Sequence, residues 1–313
     1  MNPKVSIIMP VYNAEKYIEK TINCMLEQTY KNFELILIVD CPTDGTLQAV
    51  SEIKDERIRI IRNSYNKGIS YSRNCGMEEA KGEYIALMDH DDLAPKDRIE
   101  VEVKYLDEHP EIDVVGGGYA KIDSSDKVIS CGRTVPLNNP LYIKAQLLFY
   151  CPMANGSAMF RKKIVEKYKI KYQDGLLGME DYRFWVECSA YGKMTNLNQI
   201  LLYWRQSTST ESWRVRTNMI EDRKRKFAEI QRYALKLNGF TLDDDEYYIF
   251  NKSFEEFNTQ EYTREDIEAA FGVVKKIIFQ ANKRNLENAK EIKIACKKRM
   301  TRMIENAEIW NEL

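Results

Sequence analysis

Asp89-His90-Asp91-Asp92 sits where the apolar run Tyr84-Ile85-Ala86-Leu87-Met88 gives way to a polar turn. Three carboxylates within four residues repel one another unless a cation neutralises them. At the carboxyl end of a strand in a chain that alternates strands and helices, a divalent metal carrying a phosphate ligand is the cation that fits. In isolation the same tetrapeptide reads as a solvated acidic turn. Its surroundings argue for the metal. Pro10-Val11-Tyr12-Asn13 and Asp40 also fall where apolar runs end.

The elements that place these residues are written in the apolar patterning. Val5-Ser6-Ile7-Ile8-Met9 and Leu35-Ile36-Leu37-Ile38-Val39 are β-type runs, and the second suits a parallel strand covered on both faces. Ile58-Arg59-Ile60-Ile61 and Tyr84 to Met88 continue the series, and Val114-Val115 opens a fifth strand. Between them, Tyr17, Ile18, Ile22, Met25 and Leu26 recur at helical spacing, and helices are expected near Leu47 to Ile53, over Gly68 to Ala80 and over Lys96 to Glu108. This alternation predicts an α/β chain with a doubly wound, mostly parallel central sheet flanked by helices. Ligands bind beyond the carboxyl ends of such strands. Residues 119–215 read as short strands and loops with one clear helix, Glu180 to Tyr191. From about Asn218 the chain turns helical and heavily charged. Gly239 is a stop signal, and Thr241-Leu242-Asp243-Asp244 and Thr263-Arg264-Glu265-Asp266 have the form of capping boxes.

Composition narrows the chemistry. The 313 residues are 44% hydrophobic and 30% charged, ordinary for a globular protein, and exceed one small core. A net charge of −1 makes no electrostatic case for nucleic acid. Seven scattered cysteines with no C-x-x-C suggest reduced thiols, a cytoplasmic setting, and neither a zinc site nor a disulfide framework. The start, Met1-Asn2-Pro3-Lys4-Val5, lacks the basic and apolar regions of a secretory signal, and no run is long enough to span a membrane. There is no G-x-x-x-x-G-K-[ST], G-x-G-x-x-G, H-E-x-x-H or G-x-S-x-G. His90 and His109 are the only histidines, which disfavours Ser-His-Asp catalysis. Carboxylates and a metal are left to do the work.

Six ordered blocks carry a resemblance over roughly residues 4–212. They are Val5 to Glu15, Gln28-Thr29-Tyr30-Lys31-Asn32-Phe33-Glu34, Val39-Asp40, Asn66-Lys67-Gly68 running to Ser72-Arg73-Asn74, Lys81-Gly82-Glu83-Tyr84-Ile85, and Asp89 to Asp92. Together they resemble family 2 glycosyltransferases with the A-type, Rossmann-like fold. The resemblance implies inverting transfer of a sugar from a nucleoside diphosphate donor, a UDP-sugar by preference, to a hydroxyl. It implies donor contacts from Pro10, Tyr12, Asn13, Glu15, Asp40, Arg73, Asp89 and His90, with Tyr12 stacking on the base and Asp40 facing uracil or ribose. Asp91, with Asp89 beside it, would hold Mn²⁺ or Mg²⁺, which prefer oxygen ligands. Glu180-Asp181 matches the family's acidic pair. It implies Asp181 as the base for the acceptor hydroxyl with Glu180 assisting, and the helix dipole would keep that base ionised. Trp185, Trp204 and Arg205 would lie on the acceptor side, along with Asn155-Gly156-Ser157-Ala158-Met159-Phe160-Arg161. Two features depart from the pattern. Gln206, Ser207 and Thr208 stand where many relatives carry a metal-assisting histidine, and the turn Cys41-Pro42-Thr43-Asp44 is one residue short.

The resemblance divides the chain into a catalytic domain at 1–217, with nucleotide-sugar binding over 1–118 and the acceptor side over 119–217, and a helical appendage at 218–313. Between Lys283 and Arg302 there are eight Lys or Arg and two Glu, and Leu286, Ala289, Ile292, Cys296, Met300 and Met303 recur at helical spacing. A basic amphipathic helix over 283–304 either docks on its own domain or lies on the inner face of an anionic membrane, where lipid-linked acceptors reside. Family analogy makes the acceptor a glycan or lipid-linked saccharide of a bacterial cell surface. The competing readings are a sugar nucleotidyltransferase, which would want a Gly-rich phosphate loop after the first strand, and a non-catalytic nucleotide-sugar-binding scaffold.

Overall fold

The structure is a computed structural model that describes residues 2–132, 138–176, 178–206, 219–255 and 262–305. Four strands, β1 (Val5–Val11), β2 (Phe33–Val39), β3 (Ile58–Arg62) and β4 (Tyr84–Leu87), lie parallel in the order β3-β2-β1-β4. The register sets Ile8 between Ile36 and Leu87, and Val11 opposite Val39. The ends that carry Tyr12, Asp40 and Asp89 are therefore neighbours.

Alternate side chains feed two cores. Ile8, Ile36, Ile38, Ile85 and Leu87 enter one, while Val5, Ile7, Met9, Leu35, Leu37 and Val39 enter the other. Both faces are covered, which is why the runs read as continuously apolar. The second core is capped by α1 (Ile18–Leu26), α2 (Thr46–Glu52) and α4 (Arg98–Glu108). The first is covered by α3 (Ile69–Glu79), among others. There Gly76 allows close approach, because a Cβ at that position would lie 2.4 Å from Ile8 Cγ2 and 2.9 Å from Ile38 Cδ1.

Beyond β4 the sheet departs from a doubly wound plan. β7 (Met159–Arg161) pairs antiparallel with both β4 and β5 (Val114–Ile122). β6 (Val128–Gly132) extends the antiparallel edge, and the long β8 (Met194–Arg205) runs parallel to β5. The described residues between 119 and 206 are more regular than their sequence suggests. They add α5 (Pro140–Gln146), a 3-10 turn at Asn155–Ser157, and α6 (Lys162–Tyr168) to the expected α7 (Glu180–Tyr191). Asn139 caps α5 by accepting from the amides of Leu141 and Tyr142, with Pro140 in the first turn.

Among the described residues the appendage holds α8 (Ile220–Leu237), α9 (Asp244–Phe254), α10 (Arg264–Lys283) and α11 (Ala289–Glu305). Gly239, at φ 76°, follows the end of α8. The box at Thr263 and Asp266 forms as expected, whereas the one before α9 lies two residues later, at Asp243 and Glu246. These helices join the first core rather than forming one of their own. Buried Gln231 donates to the carbonyls of Phe149 (2.9 Å) and Phe254 (3.1 Å), and the Phe149 ring packs on Phe250 and Phe254. The expected single helix over 283–304 is broken, because α10 ends at Lys283 and α11 begins at Ala289. Its apolar stripe, Ile292, Cys296, Met300 and Met303, is buried in that core. The stripe therefore faces the protein, and the face left outward is basic, with Ile294 and Ile304 exposed on it. The expected domain boundary at 217/218, together with Ser207 and Thr208, lies outside the described residues.

Candidate active site

The donor-side loops are laced together before any ligand is considered. Asn13 takes up φ 45°, accepts from the Thr43 amide at 2.8 Å and donates to Thr43 Oγ1 at 3.2 Å. Glu15 accepts from the Gly45 amide at 2.5 Å, and its own amide donates to Asp44. These bonds fix the short turn after β2 to the loop after β1. Asn13 and Glu15, expected as donor contacts, thus tie the two loops together. Pro10 is buried in β1 with its carbonyl 3.1 Å from His90 Nδ1, while Tyr12 is 39% exposed. A face of Tyr12 is open for stacking.

Asp40 is held by the loop that follows β3. It is 3% exposed and both its oxygens are engaged. Oδ1 accepts from Asn63 Nδ2 (2.6 Å) and the Lys67 amide (2.9 Å), and Oδ2 from the Gly68 amide (2.8 Å). The carboxylate therefore shapes the loop into α3, where Gly68 has φ 86°. Asn63 is a partner that sequence reasoning missed, because nothing in its local pattern marks it.

The acidic turn after β4 is held from behind. Arg205, expected on the acceptor side, is 1% exposed. Its Nε donates to the Asp91 carbonyl (2.6 Å) and its Nη1 to the Asp123 carbonyl (2.9 Å), while Nη2 pairs with Asp126 at 2.6 Å. Its backbone amide donates to Asp92 Oδ1 at 2.8 Å. It is a clamp on the turn and offers nothing to an acceptor. Burial, with Asp91 and Asp89 nearby, pushes the Asp92 carboxyl well above the usual range. Burial likewise raises Asp91, helped by Asp89 and opposed by His90. Burial and mutual repulsion thus disfavour the charged forms of both carboxyls, and Arg205 opposes that only in part. Among the described residues no group of three or more His, Cys, Asp or Glu side chains is arranged to enclose a metal. The donor set thus fits a hard divalent ion that takes its remaining ligands from phosphate oxygens and water, as Mg²⁺ commonly does, and does not fit an all-protein cage.

Asp181 and Glu180 open α7. The helix dipole is outweighed here. Burial, then the Glu180 charge, push Asp181 up to about 7, while Arg73 pulls the other way. Glu180 pairs with Arg73 Nη1 at 3.0 Å, and Asp89 pairs with Arg73 Nη2 at 3.0 Å. Arg73 is 4% exposed. Burial opposes its charge, but Asp89, Tyr172 and Glu180 outweigh that and raise its pKa further. The structure thus brings together Asp89, Arg73, Glu180 and Asp181, which lie far apart in sequence. Tyr172, also missed, lies beneath Arg73 with its ring centroid 5.2 Å away and donates to Asn155 Oδ1 at 3.0 Å.

Trp185 is not an acceptor surface. It is fully buried, edge-on to Phe184 and Phe160. Trp204 is half-buried, edge-on to Tyr119, with the Lys121 ammonium over its ring.

Parallel strands here end in an acidic turn faced by an acid pair at a helix start. The sequence pattern of Glycosyl transferase family 2 matches residues 6–169. The chain belongs to that family. It is 36% identical over 212 residues to an uncharacterised glycosyltransferase of Haemophilus influenzae, covering 65% of each chain. It is 33% identical over 202 residues to WfaP of Escherichia coli, a UDP-Glc:α-D-GlcNAc-diphosphoundecaprenol β-1,3-glucosyltransferase, covering 64% of this chain and 76% of WfaP. Among solved structures, residues 1–349 of Staphylococcus aureus TarS in complex with UDP-GlcNAc superpose with a TM-score of 0.66 at 18% identity. That match covers 94% of this chain and 90% of TarS 1–349, and it shows a shared fold.

Proposed function

We propose that this glycosyltransferase moves a sugar from a UDP-sugar to a hydroxyl of a lipid-linked or growing glycan acceptor, with inversion. The observation that carries the reading is the joining of the metal-type turn to the acid pair of α7 through Arg73. Donor-side and proton-accepting groups are then held side by side.

Asp181 is the base. Its pKa near 7 suits proton transfer at neutral pH. It takes the acceptor hydroxyl proton while that oxygen attacks the anomeric carbon opposite the diphosphate. The bond from the anomeric carbon to the phosphate oxygen breaks, and UDP leaves with the electron pair. Tyr12 offers its exposed ring to the base. Asp91, assisted by Asp89, would hold Mn²⁺ or Mg²⁺, which supplies positive charge for the diphosphate as it leaves. Support for UDP comes from WfaP and TarS, and support for a polyprenyl-linked acceptor from WfaP.

A lipid-linked acceptor brings the protein to the cytoplasmic face of a bilayer as a peripheral visitor. The exposed side of α11 suits that place, since Lys290, Lys293, Lys297, Lys298 and Arg302 lie on it and no acid does until Glu305.

Calorimetric titration with UDP, GDP, CDP and dTDP, in Mn²⁺ and then in EDTA, tests the donor. Binding of UDP alone that EDTA weakens is the expected result. Binding of another nucleotide in preference would overturn the UDP assignment, and binding of none would overturn the transferase reading.

A further inference from the structure

Arg73 is seated in a way that its expected role as a nucleotide contact does not explain. Its guanidinium is spent on two acids from two elements, Asp89 after β4 and Glu180 at the start of α7, each at 3.0 Å. Its face lies against Tyr172, which stacks at 4.1 Å on Phe184 of α7. The helix presenting it is pinned to the same wall. Asn74 exchanges two 2.8 Å hydrogen bonds with the Tyr172 backbone, and Ser70 Oγ donates to the Gln173 carbonyl at 3.0 Å. Three residues of α3, at positions 70, 73 and 74, therefore grip the segment that leads into α7. A planar fork held this way fixes the separation of the two carboxylates it bridges, which a single ammonium cannot do.

We infer that Arg73 is a positioning residue that sets the placement of the Glu180–Asp181 pair relative to the donor-side Asp89, and is not a contact to the nucleotide. The inference rests on the transferase reading. Displacing a reacting group by about an ångström costs on the order of 100-fold in rate while leaving remote binding intact. The loss should therefore fall on kcat.

The test uses the full chain with Arg73→Lys and Arg73→Met. UDP affinity and stoichiometry are read by calorimetry, and kcat and KM from UDP release with UDP-glucose or UDP-GlcNAc, whichever the wild type consumes. The expected result is a UDP Kd within roughly 3-fold of wild type, one site per chain, and kcat lowered by roughly 100-fold in both variants. Arg73→Lys keeps the buried charge and so serves if Arg73→Met fails to fold. A Kd weakened as much as kcat would make Arg73 a nucleotide contact and overturn the inference. So would full kcat with Lys, or lowered stoichiometry with unchanged turnover per binding site, since either reduces Arg73 to a structural charge. A wild type that binds no nucleotide overturns the transferase reading and this inference together; failure of the variants alone leaves the transferase reading standing.

Discussion

At the scale of single residues, the site turns on how burial and charge set two carboxylates against each other. Asp181 has its pKa raised to about 7 by burial and by Glu180. Below that value it is protonated and cannot accept a proton, so transfer should fall about tenfold per pH unit on the acid side of pH ~7 and level off above it. A pH–rate profile at saturating donor reads this limb; a plateau extending to pH 5 would contradict it. Stability carries the same signature with a definite sign. An acid whose folded pKa lies above its ordinary 3.8 costs the fold stability as pH climbs from there through about 7. Asp181→Asn should therefore melt higher than wild type at pH 8, with the gap closing towards pH 4. Equal melting temperatures at pH 8 would mean that the carboxylate is not strained by its surroundings. The sequence marks Asp89, Asp91 and Glu180–Asp181 through their match to the family pattern, and the structure joins Asp89 to Glu180 through Arg73. The clamp role of Arg205 was not legible there. A buried arginine is decided by partners far along the chain, here Asp91, Asp92, Asp123 and Asp126, and a local pattern holds no trace of them.

At the scale of elements, β1, β2 and β4 were readable because strands covered on both faces are continuously apolar. β7, only three residues long, and α5, seven residues long, were not. Neither has room for a periodic signal, and each exists because the sheet and the core around Phe149 give it a place. The break between α10 and α11 was hidden because the helical spacing of apolar residues carries on through Leu286 and Ala289, whereas the chain turns there with Asn285 at φ 50°. The seat of α3 against β1 and β2 governs the site directly, since α3 presents Arg73. Gly76 leaves no space for a methyl against Ile8 and Ile38. Gly76→Ala should destabilise the protein by about 1–3 kcal/mol through overpacking, despite the better helix propensity of Ala, and should lower turnover by shifting Arg73. Urea melts with parallel activity measurements check both; unchanged stability would mean that α3 stands off the sheet.

At the scale of the whole molecule, near-neutrality conceals a division of charge. The net charge is −1, yet the exposed positions of α11 from Lys290 to Arg302 hold five cations and no anion. The main apolar stripe of that helix is buried and only Ile294 and Ile304 stand outward, so attraction to a bilayer would be chiefly electrostatic and shallow. At ~1 kcal/mol per cation near an anionic surface, vesicles rich in phosphatidylglycerol should bind the protein at low salt and release it above about 0.3 M NaCl, while phosphatidylcholine vesicles should not bind it. Lys293→Glu with Lys297→Glu should abolish the binding and leave UDP affinity intact. Equal binding to both vesicle types would point to an apolar contact elsewhere.

The most direct test compares Asp181→Asn with wild type for UDP affinity and for turnover on the same preparation. With Asp181 as the base, affinity stays within roughly 3-fold while turnover drops by about 100- to 10,000-fold. An equal loss of affinity and turnover, or no loss of turnover, would contradict the assignment and with it the account of how this site transfers a sugar.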